Sequence, residues 1–247
     1  MGIIRMGPPE DLVLLLKREY DLNIFVETGT YLGGTTVWAA THFDKVFTIE
    51  YSKSIYEDTK ARYSDIANIN FIYGDSRSVL QTLVPQLETP ALFWLDGHWC
   101  GQQSYGETDQ CPLIKELHAI LQSPLPHFLL IDDARLFLAP PPLPHRIDAW
   151  PSIDIVLQTL QSSDKKYYIV ICEDVIIAVP LEAKAIVANY YQKVTTIAWQ
   201  QYGEHLKHAQ QSYMQRGMKQ IVGGARIVLS GMSQRLQNIS RVGNPKP

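Results

Sequence analysis

Along the first 180 positions, apolar residues come in short, uninterrupted runs closed by polar residues or glycine: Ile24–Val26, Val46–Ile49, Phe71–Tyr73, Ala91–Leu95 and Phe128–Ile131. Such runs predict strands covered on both faces, as in a parallel sheet. Between them apolar residues return at helical spacing. Leu12, Leu15 and Leu16 do so within Asp11–Tyr20, and Val79, Leu80, Leu83 and Leu87 follow Ser76, which can cap the helix start. Leu113, Leu117, Ile120 and Leu121 follow Pro112, and Ile153, Val156, Leu157 and Leu160 follow Ser152. The alternation predicts an α/β, doubly wound sheet with right-handed crossovers and helices on both faces. It ends at Tyr167–Cys172 and Val175–Val179, which only Glu173–Asp174 separates. A connection that short makes a hairpin, so the mostly parallel sheet should close with one antiparallel strand.

Two segments stand outside this pattern. Ala139–Pro144 holds four prolines in six residues and must be a loop. From Leu181 the chain is Gln-rich and amphipathic in places, as in Tyr190–Ile197 and Leu206–Met218, until Gly223–Gly224. The expected organisation is one α/β domain over residues 1–180 and a mainly helical extension over 181–247. That extension could pack on the core or on a second copy of the chain, which would make a homo-oligomer.

Composition narrows the class. Hydrophobic residues make up 46% of the 247 residues and charged residues 19%, which allows a core and excludes wholesale disorder. A formal charge of -3 lacks the basic excess of a nucleic-acid binder. No apolar run reaches the ~18 residues of a membrane span. Pro8, Pro9, Glu10 and Asp11 stand where a signal peptide carries its apolar stretch. Three cysteines are too few for a disulfide scaffold. The expectation is a soluble, cytoplasmic small-molecule enzyme with no nucleic-acid or membrane partner.

Chemistry gathers at the ends of the apolar runs. Glu27-Thr28-Gly29-Thr30-Tyr31-Leu32-Gly33-Gly34 follows the first and leads into a helix. Glycines there let backbone amides approach a ligand, and the pattern is not the G-x-G-x-x-G of dinucleotide sites. Glu50 ends the second run; a carboxylate there can accept from ribose hydroxyls or simply be a solvated acid. After the third, Asp75 can accept from an adenine amino group while Ser76 caps the next helix, or both can serve only as caps.

These three sites, in this order at successive strand ends, resemble the class I S-adenosylmethionine-dependent methyltransferases over residues 10–180. The resemblance implies that Glu27, Gly29, Thr30 and Gly33 hold the methionine part of S-adenosylmethionine. It implies that Glu50 holds the ribose, with Asp75 and Ser76 at the adenine. It further implies strand order 3-2-1-4-5-7-6 with the last strand reversed.

A fourth feature points to the reaction. Asp96, Gly97, His98 and Trp99 close the fourth run, and Asp132, Asp133 and Arg135 close the fifth. Adjacent strand ends can bring Asp96, Asp132 and Asp133 close enough to repel one another unless a cation intervenes. The arrangement is similar to the metal-dependent O-methyltransferases of the catechol and macrocin types. That likeness implies a divalent ion, Mg²⁺ foremost, held by Asp96 and the Asp132–Asp133 pair. Where the catechol type carries a lysine, this chain has Trp99, and His98 is the nearest candidate base. Two other readings stay open: Asp132 or Asp133 pairs with Arg135, and Asp96 meets only the cofactor. His98, too, can be a packed loop histidine. Cys100 and Cys111 bracket a Gly/Gln-rich loop without zinc spacing. Tyr105, Phe137, His145, Arg146 and Trp150 are candidates for an acceptor pocket.

The expected function is metal-assisted O-methylation of a small-molecule or sugar hydroxyl, with Asp96 and His98 at the chemistry. Metal-independent methylation of nitrogen or another small molecule, a non-catalytic cofactor-binding module and a nicotinamide-dependent enzyme on a similar sheet are the alternatives, the last disfavoured by the missing G-x-G-x-x-G.

Overall fold

The structure is a computed structural model that describes residues 6–99, 109–208, 210 and 231. They fall into two compact units divided between Tyr190 and Tyr191. In the first unit, α1 (Glu10–Tyr20) leads into β1 (Ile24–Thr28), α2 (Gly34–Ala40), β2 (Lys45–Glu50), α3 (Lys53–Arg62) and β3 (Ile69–Tyr73). Then follow α4 (Ser76–Leu83), β4 (Ala91–Leu95), α5 (Leu113–Leu121), β5 (Phe128–Ile131), α6 (Arg135–Leu138), α7 (Ile153–Gln161), β6 (Tyr167–Cys172) and β7 (Val175–Pro180). The seven strands form one sheet in the order β3-β2-β1-β4-β5-β7-β6. β1 to β5 run parallel, and β7 pairs antiparallel with both β5 and β6. The hairpin expected at Glu173–Asp174 is present, and both turn residues take the positive φ that its tight turn requires.

Burial explains the central strands. Every residue of β4, β5 and β7 is buried, because these strands carry cover on both faces. Leu80, Leu83, Leu117, Ile120, Val156 and Leu160 bring the apolar stripes of α4, α5 and α7 into the same core as Phe93 and Ile131. Each large side chain buried this way contributes about 1.5–3 kcal/mol. The edge strands β3 and β6 are only half-buried. In α1, Glu10 and Asp11 open the helix and Lys17 and Arg18 close it, matching its dipole at both ends.

In the second unit, residues 191–208 are helical. Cys100, Tyr105, most of the Gly/Gln-rich loop and the segments beyond residue 210, Gly231 apart, lie outside the described residues. Among the described residues no helix is long and apolar enough to cross a membrane.

Candidate functional site

A cavity of about 420 Å³ opens where the parallel strands end, on the loops after β1, β2, β3, β4 and β5. This is where an open α/β sheet places its ligands. Gly29, Tyr31, Glu50, Tyr51, Ser76, Asp96, Gly97, His98, Asp132, Asp133 and Arg135 all line it. Of the residues singled out in the sequence, Gly29, Glu50, Ser76, Asp96, His98, Asp132 and Asp133 therefore meet in one place. Glu27, Thr30, Gly33 and Asp75 are not in the lining.

The turn after β1 divides its residues between ligand space and support. Gly29 has φ 84°, and a Cβ there would lie 2.4 Å from the carbonyl oxygen of Asp96. Only glycine lets β1 and the β4 end come this close while leaving backbone open to the cavity. Gly33 serves packing instead: its added Cβ would meet the Tyr63 ring at 2.8 Å and Thr59 at 2.9 Å. Glu27, only 2% exposed, points beneath the turn, where Thr36 and Thr48 both donate hydroxyls to one carboxylate oxygen. Burial, with a smaller push from Glu50, raises its pKa to about 7 in spite of those donors. Thr30 is buried too, 2.6 Å from the Thr48 hydroxyl. These residues hold the turn in shape from below.

Glu50 stands at the cavity wall with its carboxylate fixed by two backbone amides. Tyr31 N donates to one oxygen at 3.0 Å and Ser52 N to the other at 2.8 Å. Each oxygen keeps a second lone pair for a pair of ligand hydroxyls.

After β3 the expected roles are exchanged. Asp75, not Ser76, caps α4, accepting from Arg77 N at 3.0 Å. Its carboxylate is also gripped by the Arg77 guanidinium, with Nη2 to Oδ2 at 2.6 Å. Partial burial works against the charge, but these bonds and the Arg77 charge outweigh it and lower the Asp75 pKa. The Asp75 carboxylate thus serves as helix cap and as partner of Arg77. Ser76 is the first residue of the helix, and it is Ser76 that reaches the cavity. Asp-Ser-Arg reads equally well in either register, so the sequence carried no signal of which residue would cap.

At the far end of the cavity His98 Nε2 lies 2.7 Å from Asp133 Oδ2 and 3.7 Å from Asp96 Oδ1. Its ring packs edge-on against Trp150, centroids 5.3 Å apart, and its side chain is 8% exposed. Burial disfavours the imidazolium, yet the Asp133 hydrogen bond and the charges of Asp96, Asp133 and Asp132 prevail and raise its pKa. Asp133 also accepts from Arg135 Nη1 at 2.6 Å, and Arg135 pairs in turn with Asp174 on the β6–β7 turn. Burial alone would raise the Asp133 pKa; His98 and Arg135 bring it below the ordinary value. Burial and the Asp133 charge raise Asp132 to about 7. Asp96 lines the cavity with 35% of its side chain exposed, and burial with the charges of Asp132 and Asp133 raises its pKa well above normal despite His98.

This geometry leaves the metal expectation unsupported. Among the described residues no group of three or more His, Cys, Asp or Glu side chains is arranged to hold a metal ion. Asp133 is turned to His98 and Arg135, and Asp132 accepts the Asp133 amide at 2.8 Å. The alternative in which Arg135 pairs with an acid of the Asp132–Asp133 pair is the arrangement present.

The other candidates are mostly structural. Phe137 and Trp150 are buried in the core, and Trp150 Nε1 donates to Gln110 at 3.0 Å. His145 packs against Trp99 and Trp150 at 5.4 and 5.1 Å, and Arg146 pairs with Asp148. Cys111 is a free thiol that burial pushes up to about 12. One residue at the site carried no sequence signal at all. Glu116 of α5 is 1% exposed and stands behind Gly97, where burial raises its pKa to about 7 against the Ser76 and Thr28 hydroxyls and the His98 charge.

No protein-family model matches the chain, and no curated protein matches it. Solved structures do. An O-methyltransferase from Bacillus cereus, in complex with S-adenosylhomocysteine, superposes with a TM-score of 0.51 at 16% identity, covering 71% of this chain and 82% of its own. A methyltransferase from Podospora anserina, also bound to S-adenosylhomocysteine, gives a TM-score of 0.50 at 16% identity, covering 71% of this chain and 79% of its own. At that identity the likeness is one of architecture, and the architecture is that of the class I S-adenosylmethionine-dependent methyltransferases.

Proposed function

We propose that the protein transfers a methyl group from S-adenosylmethionine to a hydroxyl of a small-molecule acceptor. The supporting observation is that one cavity joins a nucleoside-type wall, Gly29 and Glu50, to a buried histidine–carboxylate pair, His98 and Asp133. S-adenosylmethionine supplies an activated methyl on a sulfonium. The acceptor oxygen attacks that carbon in line with the breaking C–S bond, and the hydroxyl proton must leave. Asp133 holds a proton on Nε2 of His98, which leaves Nδ1 as the basic nitrogen to receive it. Orientation supplies much of the remaining acceleration, since no covalent protein intermediate is required.

We favour the route without a metal. An ion at Asp96, Asp132 and Asp133 would have to take Asp133 from both His98 and Arg135. The test is methylation of a panel of hydroxyl acceptors. Turnover should survive a chelator. His98→Ala should lower kcat by roughly 10²–10⁴ while affinity for S-adenosylhomocysteine stays within about threefold. Turnover that chelation abolishes and Mg²⁺ restores would return the reaction to the metal-assisted class.

A further inference from the structure

The formal charge of -3 conceals a division along the chain. All 25 Asp and Glu lie within residues 1–204, together with 15 of the 22 Lys and Arg. Residues 205–247 hold the other 7 Lys and Arg and no acid, so the formal charge is -10 over the first stretch and +7 over the second. A block of one sign is a segment that meets an opposite charge. The described helix that leads into it adds an independent feature. Ile197, Trp199, Tyr202 and Leu206 are 45%, 68%, 55% and 49% exposed. Trp199, Tyr202 and Leu206 stand at i, i+3 and i+7, one face of a helix, and the Trp199 and Tyr202 rings meet edge-on with centroids 6.1 Å apart. Lys193 and Lys207 fall off that face. The same combination returns in the sequence further on: Leu229, Met232, Leu236 and Ile239 recur at helical spacing, with Arg226, Arg235 and Arg241 set among Ser, Gln and Asn.

We propose that the C-terminal extension docks on an anionic lipid surface, with the Trp199–Tyr202–Leu206 face against the bilayer and the basic residues among the headgroups. Both features need a partner, and one partner of this chemistry satisfies both. Negative headgroups take the cations, and the upper acyl layer takes the apolar side chains. Trp and Tyr suit the boundary between them, because each joins an apolar ring to a polar N–H or O–H. A nucleic acid would neutralise the charge but leave the apolar face in water. A single strand would also ask for aromatic rings to stack on, and Tyr213 is the only Phe, Trp or Tyr after residue 204. A second copy would bring a +7 segment against a +7 segment. The contact is a surface one, since among the described residues no helix is long and apolar enough to cross a membrane. The inference is independent of the reaction proposed above.

The experiment is co-sedimentation of the full chain with vesicles, either phosphatidylcholine alone or phosphatidylcholine and phosphatidylserine in equal parts. Wild type should bind the mixed vesicles roughly tenfold or more tightly than the neutral ones, and added salt should weaken that binding. Arg226→Gln, Arg235→Gln and Arg241→Gln together should lower affinity for the mixed vesicles by roughly tenfold or more. Trp199→Ala should lower it by about threefold or more, because the apolar contact is lost while the charge is kept. Trp199 is exposed, so this variant should melt at the wild-type temperature. A mixed-sequence RNA and the oligomeric state in solution are measured alongside. Wild type that ignores both kinds of vesicle would overturn the inference, whether it binds RNA, self-associates or does neither. Equal binding to both kinds, or binding to the mixed vesicles that the arginine and Trp199 variants leave unchanged, would overturn it as well.

Discussion

Glu27 was singled out with the glycine turn, and its carboxylate lies beneath that turn. Its place beside Gly29 marks it as part of the glycine turn, but a strand alternates its faces, and no sequence feature fixes which face of β1 meets ligand. It lies below, held by Thr36 and Thr48. The consequence is a pH effect on stability. Its pKa is raised from 4.5 to about 7 in the fold, so the unfolded chain releases the proton first. The stability that neutral Glu27 contributes is complete below pH 4.5 and is lost as pH climbs through about 7. Glu27→Gln keeps the shape without the charge. Relative to wild type, it should gain stability between pH 5 and pH 8, by up to about 3 kcal/mol. Denaturant titrations of both proteins at the two pH values measure this, and parallel stabilities would refute it. Glu116 was invisible for a different reason. It sits in a helix whose apolar neighbours Leu113, Leu117 and Ile120 define a core face, and a single acid near that face reads as solvated.

Elements were legible in proportion to their burial. Ala91–Leu95, Phe128–Ile131 and Tyr167–Cys172 have the bounds that their apolar runs suggest. β1 and β2 run further than their apolar cores, to Thr28 and Glu50, since sheet bonding continues past the last apolar side chain. α3 gave little periodic signal because only Thr59 among its residues is buried. Two neighbouring glycines in the turn before α2 separate conformational need from permissiveness. Gly33 has φ 79° and no room for a Cβ, whereas Gly34 has helical backbone and nothing within 4 Å. Gly33→Ala should therefore destabilise by about 1–3 kcal/mol. Gly34→Ala should be neutral or stabilise by up to about 1 kcal/mol. Thermal unfolding of the two variants gives the comparison, and equal effects would show that the turn does not depend on the Gly33 conformation.

For the molecule as a whole, alternation of the runs is enough for a parallel sheet, and the two-residue gap at Glu173–Asp174 is enough for its reversed end. Strand order is another matter: βαβ units can be added on either side, so 3-2-1-4-5-7-6 came from the resemblance and not from the pattern. The carboxylates after β4 and β5 were placed near one another correctly, but their partners depend on Arg135 and on Asp174, which the β6–β7 turn brings back from far along the chain. Strand-end acids alone suggested a cation, and the cation that pairs with Asp133 in this structure is the Arg135 guanidinium. The central claim remains that this cavity is built for an adenosyl ligand, and calorimetric titration with S-adenosylhomocysteine tests it most directly. The account predicts saturable binding to wild type, no comparable binding of NAD, and a loss of about 1–3 kcal/mol in Glu50→Ala, where ribose hydroxyls lose a charged acceptor. Absence of binding, or binding that Glu50→Ala leaves unchanged, would contradict it.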